Sequence, residues 1–292
     1  MITSSPDHVA LLREAETYGA HPQFDPAMRA FCIGLASFHS VGFTRLTGVV
    51  DTITFAVALL VLYLDMIAPE SANASRLVAL CADGGLAGAT AVRNAISALR
   101  RGGMIVVDDR VEVGQAHPVR PTPALVDTMK DNLATRLSAM EPVVPWPKPA
   151  GEWARTDGVL EGFVRGNIEA YRNSRFLLFQ QFPEIRGFMD RHCGYPVLLD
   201  VLGRSETSAQ GMSTVVPLSE VAERFDVSRT HVRKLFGAAA ANGWLDFEPK
   251  GRLTIDAARF ARLRLWIGLE FAWTRRLVGS PPGAGSDVRA CG

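Results

Sequence analysis

Apolar residues recur at three- and four-residue steps over most of the chain, the spacing that gathers them on one face of a helix. Alternation of apolar and polar residues, which marks a strand, is confined to short pieces after Gly103 and after Gly243. The pattern predicts a mainly α protein with small β hairpins. Two stretches interrupt it. "EPVVPWPKPAGEW", residues 141–153, carries four prolines and a glycine and predicts a linker between two halves. From Gly279 onward, "GSPPGAGSDVRACG" is small, polar and rich in Pro and Gly, and predicts a disordered tail. The run "TITFAVALLVLYL", residues 52–64, is apolar on all sides. Bounded by Asp51 and Asp65, it falls short of the ~20 residues that span a bilayer, so it predicts the central helix of a helical core and not a membrane segment.

The two halves share a pattern. "VRNAISALRRGGMI" (92–105) lies over "VRKLFGAAAANGWL" (232–245) at a constant shift of 140, with Val92 on Val232, Arg93 on Arg233, Gly103 on Gly243 and Ile105 on Leu245. Each copy predicts the same order: amphipathic helix, glycine stop, strand, turn, strand, then a long helix at 122–140 or 256–276. The chain is accordingly divided into an N-terminal helical region (1–75), a first unit with its following helix (76–140), the linker (141–153), a helical connector (154–195), a second unit with its C-terminal helix (196–278) and the tail (279–292). The apolar run 52–64 and the helix around Leu265, Trp266, Ile267, Leu269 and Phe271 are expected to pack together within one chain.

In the second unit, "PLSEVAERF" places Leu218, Val221, Ala222 and Phe225 on one helical face and Glu220, Glu223 and Arg224 outward. "DVS" breaks that helix, and Ser228 is suited to cap the next one through its hydroxyl. Val232, Leu235, Phe236 and Ala239 form the inward stripe of this second helix, which leaves Arg229, Thr230, His231, Arg233 and Lys234 on its exposed side. Two helices joined by a short turn, the second polar at its start, is an arrangement that presents a helix to the major groove. Leu245 and Phe247, the turn "PKG", then Leu253 and Ile255 predict a hairpin with Lys250 and Arg252 at its tip.

The sequence "PLSEVAERFDVSRTHVRKLFGAAAANGWLDFEPKGRLTI" resembles a winged helix-turn-helix domain of bacterial regulators such as the MarR family, strongly over about forty residues and more weakly over 76–130. The resemblance implies tandem winged-helix units joined by long helices, arranged as a pseudo-dimer in a monomer or a homodimer. It implies contacts to double-stranded DNA from Ser228, Arg229, Thr230, His231, Arg233 and Lys234 on the recognition helix, and from Lys250 and Arg252 on the wing. In the first unit it implies contacts from Arg93, Asn94, Arg100 and Arg101, with Arg110, His117 and Arg120 on a longer wing. This copy departs from the pattern. "DGGLAGATA" is too short and Gly-rich for a full positioning helix, and Asp108 and Asp109 stand beside its hairpin.

With 31 basic and 30 acidic residues among 292, the chain offers no general attraction for nucleic acid. Between 217 and 264, however, nine Lys/Arg face six Asp/Glu, a local excess of three. The alternative is a tandem winged-helix scaffold for protein partners, its basic residues forming a solvated face. Four scattered cysteines (Cys32, Cys81, Cys193, Cys291) without a CxxC pair, and the absence of an export signal, predict a reduced, cytoplasmic protein. His192-Cys193 lacks a second ligand pair, so a helix end with a buried thiol is expected there and no metal. The usual signatures of hydrolases, nucleotide-binding loops and zinc proteases are missing, and neither an enzyme nor a cofactor is expected. Cys32, His39 and Ser40 in "AFCIGLASFHS" are read as small polar residues of an apolar helix. Phe163, Tyr171, Phe176, Phe179, Phe182 and Phe188 offer walls for a small-molecule effector, with core packing as the plainer role.

Overall fold

The computed structural model describes residues 6–43, 52–108, 117–174 and 181–279. In chain order its elements are α1 (Pro6–Gly19), α2 (Phe24–Ser37), α3 (Thr52–Ile67), α4 (Ala74–Asp83), α5 (Ala89–Arg101), β1 (Ile105–Val107), β2 (Val119–Pro121), α6 (Pro123–Met140), α7 (Ala150–Trp153), α8 (Val159–Ser174), α9 (Pro183–Met189), α10 (Gly194–Arg204), β3 (Glu206–Ser208), β4 (Gly211–Val215), α11 (Leu218–Arg224), α12 (Arg229–Ala241), β5 (Asp246–Phe247), β6 (Arg252–Asp256) and α13 (Ala257–Val278). The described chain is mainly helical, with one antiparallel pair β1-β2 and one antiparallel sheet of order β3-β4-β6-β5.

Two compact units form, and each is discontinuous. One comprises Met1–Ser40, Thr135–Pro145 and Leu178–Arg275; the other comprises Val41–Ala134, Trp146–Leu177 and Arg276–Gly292. The consecutive segments expected from the sequence are therefore interleaved, because the proline-rich stretch does not stand clear of the cores. Val144 is fully buried in the first of these units, while in the second Trp153 is 3% exposed and its indole N–H donates to the Val278 carbonyl at 2.8 Å. The prolines end the helix, as expected, but the apolar residues between them are used for packing.

In the unit that holds α3, every residue from Val57 to Leu64 is buried. A helix enclosed on all sides needs no polar face, which is why the run is apolar throughout. α5, α8 and β2 pack against it, and the Tyr63 hydroxyl accepts from Arg172 at 2.8 Å. No described helix is long and apolar enough to cross a membrane. Ahead of α5 stands a complete helix, α4, contrary to the expectation of a defective one. Its turns precede the glycines: the Asn73 side chain caps it by accepting from the Arg76 N–H, and Leu77 and Cys81 bury its inner face. Only residues 84–88 form the turn. The pair β1-β2 follows, in register Ile105↔Pro121 and Val107↔Val119, and a bridge Asn73↔Pro118 extends it toward α4.

In the unit that holds α12, the principal helix pair is α2 on α10. Phe271 meets Phe24 and Phe31 at ring distances of 5.5 and 5.3 Å, beside the fully buried Trp266. Trp266, Ile267, Leu269 and Phe271, expected to pack on the run 52–64, are buried in this unit, whereas α3 belongs to the other. Two strands were not expected. β3 and β4 come from "ETSAQGMSTV", polar and too short to show alternation, yet β4 pairs with β6 through Met212↔Ile255 and Thr214↔Leu253. The aromatic residues singled out for an effector fall in different units, Phe163 and Tyr171 in one and Phe182 and Phe188 in the other, all buried; Phe176 and Phe179 lie outside the described residues.

The same order of elements occurs twice along the chain, as α4-α5-β1-β2-α6 and as α11-α12-β5-β6-α13, and each closing helix runs past the boundary of its unit, α6 after Ala134 and α13 after Arg275. Gly103 and Gly243, aligned in the sequence repeat, both end their helices with positive φ (68° and 73°), a backbone region that glycine enters without steric cost.

Candidate nucleic-acid interface

α11 buries Val221 and Ala222, and Phe225 closes it from below. Its expected outward residue Arg224 is half-buried instead, drawn in by the buried carboxylate of Asp200 at 2.5 Å. The chain then turns at Asp226, a non-glycine residue with φ 51°, and the Val227 N–H returns to the Ala222 carbonyl at 2.9 Å. Ser228 adopts extended backbone and its hydroxyl accepts from the His231 N–H at 3.0 Å, satisfying one of the donors left open at the start of a helix. α12 follows with Val232, Leu235, Phe236 and Ala239 buried. Phe236 packs with tilted rings against Phe188 and Phe247, at 5.7 and 5.5 Å, which fixes the helix both to α9 and to the hairpin.

This stripe orients the opposite face. Ser228, Arg229, Thr230, Arg233 and Lys234 are exposed, as the sequence pattern predicts. His231 differs: it is half-buried, and its Nε2 lies 2.8 Å from the His192 carbonyl, so that nitrogen carries the proton and donates.

The hairpin β5-β6 turns at Pro249-Lys250-Gly251. Gly251 has φ 87°, and a Cβ there would stand 2.8 Å from the Val216 carbonyl, so the turn is closed to other residues. Lys250 and Arg252 are exposed. Arg233 of α12 and Lys250 of the hairpin line one open groove of about 400 Å³, which Glu220 of α11 also lines. The structure thereby joins two cations 17 positions apart, and it adds a carboxylate that tempers them.

In the other unit, Val92, Ile96 and Leu99 are buried, and Arg93, Asn94, Arg100 and Arg101 are exposed. These four do not make one cluster. Arg93 and Asn94 sit in the first half of α5, while Arg100 and Arg101 occupy its last turn, where cations complement the helix dipole, about 10 Å further along the axis. Arg120 lies in β2 and pairs with Asp65 of α3 at 3.5 Å, so it is tied to the core of its unit and does not extend from a wing tip. The His117 ring approaches the Asp108 carbonyl at 2.8 Å. Arg110 lies outside the described residues.

Cys32, His39 and Cys193 are buried. Burial, followed by the nearby charge of Arg136, lowers His39 to a pKa of about 4, and burial together with Glu270 pushes the Cys32 thiol well above its ordinary value. A weakly basic imidazole and a protonated thiol are the opposite of an activated pair. Cys193 stands in left-handed backbone (φ 54°) before α10, with its buried thiol 3.7 Å from the Phe225 carbonyl. Arg191 and His192, which the sequence pattern does not mark as site residues, are exposed, and the His192 ring stands 6.1 Å from that of His231 in the first turn of α12. The 39 positions separating His192 from His231 hide that proximity, and only the polar break "DRH" between two apolar helices hints at it.

No protein-family model, no curated protein and no solved structure matches this chain.

Proposed function

We propose that this protein is a DNA-binding transcriptional regulator that reads duplex DNA through α12 and the β5-β6 hairpin, with the α4-α5-β1-β2 unit assisting. The reading as tandem winged helix-turn-helix units rests on the repeated order of helix, turn, helix, hairpin and long helix. In the second unit it rests also on the strand order β4-β6-β5. The observation that carries it is the exposed row Arg229, Thr230, Arg233 and Lys234, displayed by the buried stripe of α12 and continued by Lys250 across one groove. The long helices α6 and α13 make the chain a pseudo-dimer by itself or a partner in a homodimer, working without metal or cofactor in the cytoplasm and open to a small-molecule effector.

Fluorescence anisotropy of the full chain on random and on selected duplexes tests this. Arg229→Ala and Arg233→Ala each weaken binding, by ~1 to 3 kcal/mol where a base edge is contacted, with helical circular dichroism intact. Affinity unchanged in both variants rejects DNA binding through α12. Glu220 in the groove favours the second reading, a scaffold for protein partners. Under that reading, retention on random duplex and on heparin does not fall steeply with salt.

A further inference from the structure

We infer that the loop Arg191–His192, between α9 and α10, is a second phosphate-contacting element of the DNA-binding surface, and that His231 is a positioning residue that holds this loop on the recognition helix. The inference rests on the DNA-binding reading of α12 and adds residues that neither the repeat nor the wing supplies.

Three links fix the loop to the helix-turn-helix. The Nε2–H of His231 donates to the His192 carbonyl at 2.8 Å, and the two imidazole rings stand 6.1 Å apart, edge to face. One residue on, the Cys193 thiol points inward to the Phe225 carbonyl at 3.7 Å, joining the loop to the end of α11. Before the loop, Phe188 packs on Phe236 at 5.7 Å. The αL conformation of Cys193 lets one residue face the core while its two predecessors stay in solvent. His192 is thus placed against His231 in the first turn of the Ser228-capped helix α12.

Among the described residues, no carboxylate forms an ion pair with Arg191. The loop's own acid, Asp190, pairs with Arg186 at 3.5 Å on α9, and Arg191 is anchored by a hydrogen bond from its Nη1 to the Gly187 carbonyl, leaving the rest of its exposed fork to solvent. Asp226 is the acid of the neighbouring turn. A guanidinium and an imidazole at the flank of a groove-reading helix suit a phosphodiester, which accepts from both, and they carry no base information. His231, by contrast, spends its Nε2–H on the loop. Its effect on DNA is exerted through Arg191 and His192.

The experiment is anisotropy of the full chain on a random 24-base-pair duplex and on a duplex selected with the unaltered chain, over a salt series. Arg191→Ala is expected to weaken binding roughly three- to tenfold, equally on both duplexes, and to lower the slope of log affinity against log salt by about 1. His231→Ala is expected to produce a similar loss, and His231→Gln, which keeps a donor at the same reach, to recover most of it. In an Arg191→Ala/His192→Ala background, His231→Ala is expected to add less than twofold, since the loop it holds then carries no phosphate-contacting side chain. Thermal melts of each variant within two degrees of the parent show that folding is intact. If Arg229→Ala weakens binding while Arg191→Ala leaves affinity and salt slope unchanged, this inference is overturned and the DNA reading stands. Equal losses for His231→Ala in both backgrounds overturn the positioning role, and failure of the unaltered chain to bind either duplex overturns both proposals.

Discussion

Arg224 of α11 donates to the Asp200 carboxylate of α10 at 2.5 Å, and Arg204 reaches the same oxygen at 2.9 Å. Asp200 is 3% exposed, Arg224 27% and Arg204 45%. The carboxylate is the buried member, and both cations keep a path to water. The pair sets how α11 sits on α10, and α11 in turn seats α12. Asp200→Asn is therefore expected to cost about 2 to 3 kcal/mol in urea unfolding, since it removes charge-assisted bonds from a buried position. Arg204→Ala, which deletes the more solvated partner, should cost under ~1 kcal/mol. An Asp200→Asn protein as stable as the parent would remove this pair from the account of the helix-turn-helix.

Ser228 accepts the His231 N–H and so closes the first turn of α12. Ser228→Ala should lower stability by about 1 kcal/mol, while Ser228→Asp, which also accepts and favours the positive end of the helix, should preserve it. Chemical denaturation of the three proteins measures the difference. Equal stability of Ser228→Ala and the parent would mean that solvent satisfies that donor as well.

His39 supplies a pH dependence with a defined sign. Its folded pKa of about 4 lies below the ordinary imidazole value of about 6.5. The folded state therefore binds fewer protons than the unfolded state in that interval. His39 contributes its full stabilisation above about pH 6.5 and loses it as pH falls toward 4, by at most about 3 kcal/mol. Glu270, raised above its ordinary value first by burial, acts in the opposite sense, because protonating it on acidification relieves an unfavourable buried charge. His39→Gln should flatten the acid limb of a stability–pH curve, and Glu270→Gln should steepen it. An acid limb of unchanged slope in His39→Gln would place the sensitivity elsewhere.

Lys250 at the hairpin turn and Arg101 at the end of α5 separate the two units' contributions. Lys250→Ala should lower the salt slope of binding to random duplex by about 1 and weaken all sequences alike. Arg101→Ala, in the last turn of its helix, should leave the slope unchanged. The reverse pattern in anisotropy titrations would shift the main interface to the α4-α5 unit.

Much of this surface was legible in the sequence because one helix carries it. The stripe Val232, Leu235, Phe236 and Ala239 determines which side chains point out, and periodicity alone reveals that stripe. The glycine stops and the Ser228 cap are equally local. What periodicity misses is contact between distant segments. α4 is masked in the sequence by the glycines that follow Asp83, and its local signal is the Asn73 cap before it. By periodicity Arg120 and Arg224 face outward, but each is held by a carboxylate more than twenty positions away, Asp65 and Asp200. The strand β4 is recognisable only through its ladder with β6, and its exposed Val215 and polar Ser213 and Thr214 give no alternation to read.

The discontinuity of the two units also dictates an order of events during synthesis. The unit begun by α1 and α2 cannot close until Leu178–Arg275 has left the ribosome, and the unit begun by α3 still awaits the last turn of α13. Early helices must therefore wait with apolar faces uncovered for most of translation. Circular rearrangements that split α6 or α13 should be among the least tolerated in this protein.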